Sequence, residues 1–63
     1  MGDMWNLKRD ALTMRCALAT HSLGWELRLI AGSFLRVHVC KTETEVFDTA
    51  DAWRAEAIAK GWG

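Results

Sequence analysis

Up to about residue 41 the apolar residues of this chain recur with a period of two, and beyond Thr42 they recur at helical spacing. In Leu12-Thr-Met-Arg-Cys-Ala-Leu18, the side chains of Leu12, Met14, Cys16 and Leu18 share one face, and Thr13, Arg15 and Ala17 share the other. Gly24 to Ile30 places Trp25, Leu27 and Leu29 on one face, and Phe34 to Cys40 does the same for Leu35, Val37 and Val39. Each segment reads as a half-buried antiparallel strand. Trp5 and Leu7 mark a shorter strand before them. The pattern predicts strands over 4–8, 12–20, 24–31 and 34–41.

Register follows from the turns, because a slip of one residue turns a strand inside out. Ala31-Gly32-Ser33 reads as a three-residue loop with its glycine in the left-handed region. That loop sets Leu29 opposite Leu35, Leu27 opposite Val37 and Trp25 opposite Val39, with all six on one face. A two-residue turn at Gly32-Ser33 would instead oppose Leu27 to His38 and Leu29 to Arg36. The preceding connection, Thr20-His-Ser-Leu23, is expected to pair Leu18 with Trp25, Cys16 with Leu27 and Met14 with Leu29. At the start of the chain a turn at Arg9-Asp10 pairs Leu7 with Leu12 and Trp5 with Met14.

A helix is predicted over 43–60. Thr42-Glu-Thr-Glu45 fits a capping box, in which the threonine hydroxyl accepts from the N–H three residues on and the glutamate reaches back. Glu43, Glu45 and Asp48 lie near the positive end of the helix dipole. Val46, Ala50, Trp53 and Ala57 form a stripe flanked by Phe47 and Ile58. Glu56 and Lys60 are an i,i+4 pair. Gly61 is placed for a left-handed cap, with Trp62 as the apolar residue that packs back. The fold class is therefore α+β: a three- to four-stranded antiparallel meander whose apolar face is covered by one C-terminal helix.

With 63 residues, the chain accommodates a single domain, 1–63. A domain of this size buries only about 60% of its unfolded surface, so it wants a staple beyond its core. Four Trp and two Phe supply packing. Two cysteines on opposite faces of non-adjacent strands do not suit a disulfide. Self-association is the staple left. No apolar run is long enough to span a membrane and no secretory signal is evident, so a cytoplasmic protein is expected.

The formal charge is zero, but it is divided unevenly. Residues 1–41 carry six basic and three acidic side chains, or +3, and residues 42–63 carry two and five, or −3. On the expected register Arg15, Arg28 and Arg36 form a row across the sheet face away from the helix, with Ala17, Glu26 and His38 in the next row. A connection two residues longer would set Arg15 against Ile30 and break that row. Directly opposed like charges destabilise a sheet. The row is therefore either a solvated face diluted by Glu26 or a site for an anion or a nucleic acid, since guanidinium forks match phosphates and guanine edges. Ile30 and Phe34 also point outward and form a candidate apolar contact.

Cys16 reads as a small core residue. His38 and Cys40 share a face two residues apart and His21 lies in a distant loop, short of the three or four converging ligands of a metal site. Neither a metal nor a cofactor is expected. Glu26 beside His38 is the one acid–base pair in view, on an open face without a cleft, so no enzymatic activity is expected.

Trp25-Glu-Leu-Arg28, Lys41-Thr42-x-x-Glu45 and Ala50-Asp-Ala-Trp53-Arg-Ala-Glu56, within residues 13–58, resemble the AP2-type and integrase-arm DNA-binding domains. The resemblance implies a meander whose outer face enters the major groove, with Glu26, Arg28 and Arg36 as contacts and Arg15 beside them. The chain equally resembles short bacterial proteins of unassigned role. The leading expectation is a small non-enzymatic interaction module that pairs with itself as a homodimer, or with another protein, through its outer sheet face. The alternative is a nucleic-acid-binding domain using Arg15, Arg28, Arg36, His38 and Glu26.

Overall fold

A computed structural model describes residues 2–63. Four strands, β1 (Gly2–Arg9), β2 (Leu12–His21), β3 (Gly24–Ala31) and β4 (Phe34–Cys40), precede a helix, α1 (Glu43–Ala59), among the described residues. The strands form one antiparallel sheet in chain order, and the α+β meander expected from the sequence is what the chain adopts. No helix among the described residues is long and apolar enough to cross a membrane.

The core is built from Leu7, Met14, Cys16, Leu27, Leu29 and Cys40 on the sheet and from Val46, Ala50, Trp53 and Ala57 on the helix. The helical stripe is the one read from the sequence. Thr42 caps the helix, its hydroxyl accepting from the Glu45 N–H at 3.1 Å. The Glu45 carboxylate reaches back one residue further than in a standard capping box, to the Lys41 N–H at 3.2 Å. At the other end the Trp62 N–H donates to the Ala57 carbonyl and the Gly61 N–H to the Ile58 carbonyl, both at 3.1 Å. With Gly61 at φ 100°, this is a Schellman motif. The chain then returns to the sheet edge, where Gly63 and Lys8 exchange two backbone hydrogen bonds of 2.8 Å. Trp5 is half-buried and donates its indole N–H to the Ala50 carbonyl at 3.2 Å.

The register differs from expectation at every hairpin. The first turn is Asp10-Ala11, not Arg9-Asp10, so Leu7 faces Met14 and Trp5 faces Cys16. Asp10 takes φ 54°, a conformation aspartate tolerates and arginine does not favour. The second turn is Ser22-Leu23, so Leu18 faces Leu27 and Cys16 faces Leu29. The His21 Nδ1 accepts from the Leu23 N–H at 3.0 Å and pins that turn. Both shifts are by two residues in the pairing, and so both keep each side chain on its expected face.

The third correction reverses a face. The turn is the two-residue Gly32-Ser33, with Leu27 opposite His38 and Leu29 opposite Arg36. A three-residue loop of the common kind needs its left-handed residue in the last place, which is Ser33. Gly32 is the residue at φ 58°, and glycine first in a two-residue turn is the type II′ requirement. Leu35, Val37 and Val39 therefore point away from the helix, and Arg36, His38 and Cys40 point towards it.

Candidate functional site

Three features of β4 set it apart. Among the described residues it is one of the sheet's two edge strands, the order ending there as it does at β1. Its outward face is apolar: Leu35 is 61% exposed and Val37 48%. Opposite them on β3 stand Ile30, paired with Leu35, and Arg28, paired with Val37. Together these side chains line an open groove of ≈ 570 Å³ that runs to the Gly32-Ser33 turn. Arg28 and Glu26, two apart on the same face of β3, form an ion pair among the residues that line it.

The expected arginine row does not form. Arg15 faces Ile30 and Arg28 faces Val37, so no two arginines of the sheet oppose each other. The break comes from a displaced turn, not from a longer loop. Arg15 and Arg28 do point outward, and each meets an acid: Arg15 lies 3.4 Å from Asp3, which a bulge between Asp3 and Trp5 brings to the outer face. Arg36 is on the helix side. Its guanidinium sits 4.9 Å from the Trp53 ring centroid and 3.8 Å from Glu56, which also holds Lys60 at 3.2 Å. His38 is likewise on the helix side, away from Glu26, so the acid–base pair considered from the sequence is not assembled. Ile30 is outward as expected. Phe34 is 52% exposed at the strand's first residue, on the alternation of Arg36, and borders the groove from the turn.

Reversing β4 assembles something the alternation concealed. His38 and Cys40 now face the start of the helix, where Glu45 occupies the third position. The His38 Nε2 lies 2.9 Å from the Glu45 carboxylate, and the donor atoms of His38, Cys40 and Glu45 all lie within 4.8 Å of one another. The hydrogen bond from His38 and the Lys41 N–H hold the Glu45 carboxyl below its ordinary pKa. Cys40, expected to share the outward face of His38, is instead on the helix side and fully buried. Burial, then the charge of Glu45, pushes its thiol above the ordinary value, while a hydrogen bond with Thr49 works the other way. Sequence reasoning missed Glu45 because it had been absorbed into the helix cap. The available signal was the Lys41-Thr42 connection, too short to carry the helix start away from the end of β4.

No family model matches this chain, and no curated protein or solved structure matches it.

Proposed function

We propose that the protein is a small non-enzymatic interaction module that associates with a second copy of itself through the edge of β4 and the adjoining outer face. The observation that supports this reading is the coincidence of an uncovered edge with exposed Leu35 and Val37. Uncovered edges with apolar faces invite pairing with another chain, and proteins that stay monomeric blunt them with charge, proline or bulges. The β1 edge is met at Lys8 by Gly63. Among the described residues β4 has no such cover on its outward backbone.

The strand is also self-complementary. Ala31 and Phe34 flank a two-residue turn as a hydrogen-bonded pair, so the N–H and C=O groups of Leu35, Val37 and Val39 point away from β3. An antiparallel partner centred on Val37 would set Val37 against Val37 and Leu35 against Val39 of the second copy. One face of that seam is then wholly apolar. The other sets Arg36 against His38, and centring the pair on Arg36 would instead oppose two arginines, which is unfavourable. Dimerisation also supplies the staple that a domain of this size wants. Two free buried thiols suit a reducing compartment such as the cytoplasm.

Nucleic-acid binding has less support, because both outward arginines are already engaged by acids. The test is light scattering over a wide concentration range on the wild type and Val37→Lys. A wild-type dimer and a monomeric, normally folded Val37→Lys are expected, since Val37 is exposed in the single chain. A wild type that stays monomeric throughout, or a variant that dimerises equally well, would reject the reading.

A further inference from the structure

We propose that His38, Cys40 and Glu45 form a binding site for a thiolate-accepting divalent transition-metal ion, with Zn²⁺ the best fit to the donor set. The three donors are an imidazole nitrogen, a thiol sulfur and a carboxylate oxygen, within 4.8 Å of one another. In a tetrahedral site with bonds of about 2.0–2.3 Å, neighbouring donors lie about 3.3–3.8 Å apart. Closing from the observed spacing takes a movement of about 1 Å, well within the rotamer freedom of two surface side chains. The His38 and Glu45 side chains are 45% and 39% exposed, so they adjust easily and admit the ion from solvent. Cys40 is the fixed, fully buried member.

The supporting shell is in place. The Lys41 N–H holds one oxygen of Glu45 at 3.2 Å and leaves the other directed at His38. Such outer contacts orient metal ligands and tune their basicity. Two ligands stand two apart on one strand and the third sits on the first turn of a capped helix, so the platform is rigid.

The charges balance. On binding, the Cys40 S–H gives its proton to water and its sulfur lone pair forms the bond to the ion. His38 coordinates as neutral imidazole through Nε2, the nitrogen that now faces Glu45. A thiolate and a carboxylate then neutralise the dication, offsetting the unfavourable positive end of the helix dipole. No oxidation or reduction is involved. Three protein ligands leave a fourth position for water or another donor. The sulfur and nitrogen donors discriminate against Mg²⁺ and Ca²⁺, which take oxygen.

The site does not depend on self-association. Its test is an anaerobic titration of the full chain with Co²⁺, followed by Zn²⁺, on wild type, His38→Ala and Glu45→Gln. Both changes are at exposed side chains, and glutamine keeps an acceptor for the Lys41 N–H. The wild type is expected to show a thiolate-to-cobalt charge-transfer band with a one-to-one end point, abolished by Zn²⁺. Each variant should bind at least tenfold more weakly. A wild type without the band, or a band of unchanged affinity in both variants, would overturn the assignment.

Discussion

Arg36 sits over the ring of Trp53, its guanidinium carbon 4.9 Å from the ring centroid, and this contact ties an edge strand of the sheet to the middle of the helix. The same guanidinium reaches Glu56 at the surface, 3.8 Å away. An arginine at this position is thus part of the packing although its strand pattern marks it as an outward residue.

Replacing Arg36 by Ala should cost about 1 kcal/mol, from the cation–π contact at a half-exposed site. The ion pair to Glu56 adds little, because it is open to solvent. Urea denaturation reads the difference. An unchanged midpoint would show that the stack contributes nothing.

Gly24 and Gly32 should respond differently to alanine. At Gly32, φ is 58° and a Cβ would meet only Leu12 Cδ2 at 3.9 Å, so the cost is backbone strain alone, about 1 kcal/mol. At Gly24, φ is 143° and a Cβ would fall 2.3 Å from the Cys40 carbonyl oxygen. Backbone cannot yield as a side-chain tip does, so Gly24→Ala should cost more than about 3 kcal/mol. Equal losses for the two variants in thermal unfolding would contradict the close approach of β3 to the end of β4.

Glu45 should contribute to stability in a pH-dependent way. His38 and the Lys41 N–H lower its pKa in the folded state below the ordinary 4.5. A depressed carboxyl contributes stability that is present above the unfolded value and lost as pH falls through the folded one. Glu45→Gln should therefore be less stable than wild type at pH 6, with the gap closing below about pH 4.5. A gap that stays constant down to pH 2 would mean the carboxylate charge is irrelevant.

Cys16 should be inert at neutral pH. It is fully buried, and burial, with the charge of Asp3 added, raises its thiol from 9.0 to about 11. The folded state therefore holds this proton more tightly than the unfolded one. Its contribution is complete below pH 9 and declines between 9 and 11. Alkylation of the native protein followed by mass spectrometry should leave Cys16 unlabelled at pH 7.5. Rapid labelling there, without unfolding, would contradict the burial.

Local pattern along the chain was enough to give the elements, the helix caps and most of the core. Period-two and helical spacing report which residues one surface can bury, and capping reports local hydrogen bonds, so Val46, Ala50, Trp53 and Ala57 were legible without the fold. Leu7, Met14, Cys16, Leu27 and Leu29 were legible too, because a pairing shift of two residues moves neighbours but not faces. The orientation of β4 was set by packing between elements. An alternation there is satisfied in either orientation once the strand is at an edge, where one face borders the flank of the helix and the other is open. The placing of Gly32 first in its turn, and the acids of the helix opposite Arg36 and His38, selected the orientation that exposes Leu35 and Val37. The same choice broke the arginine row and brought Cys40 and His38 to Glu45. Those are encounters between residues distant in purpose along the chain, and hydrophobic periodicity carries no information about them.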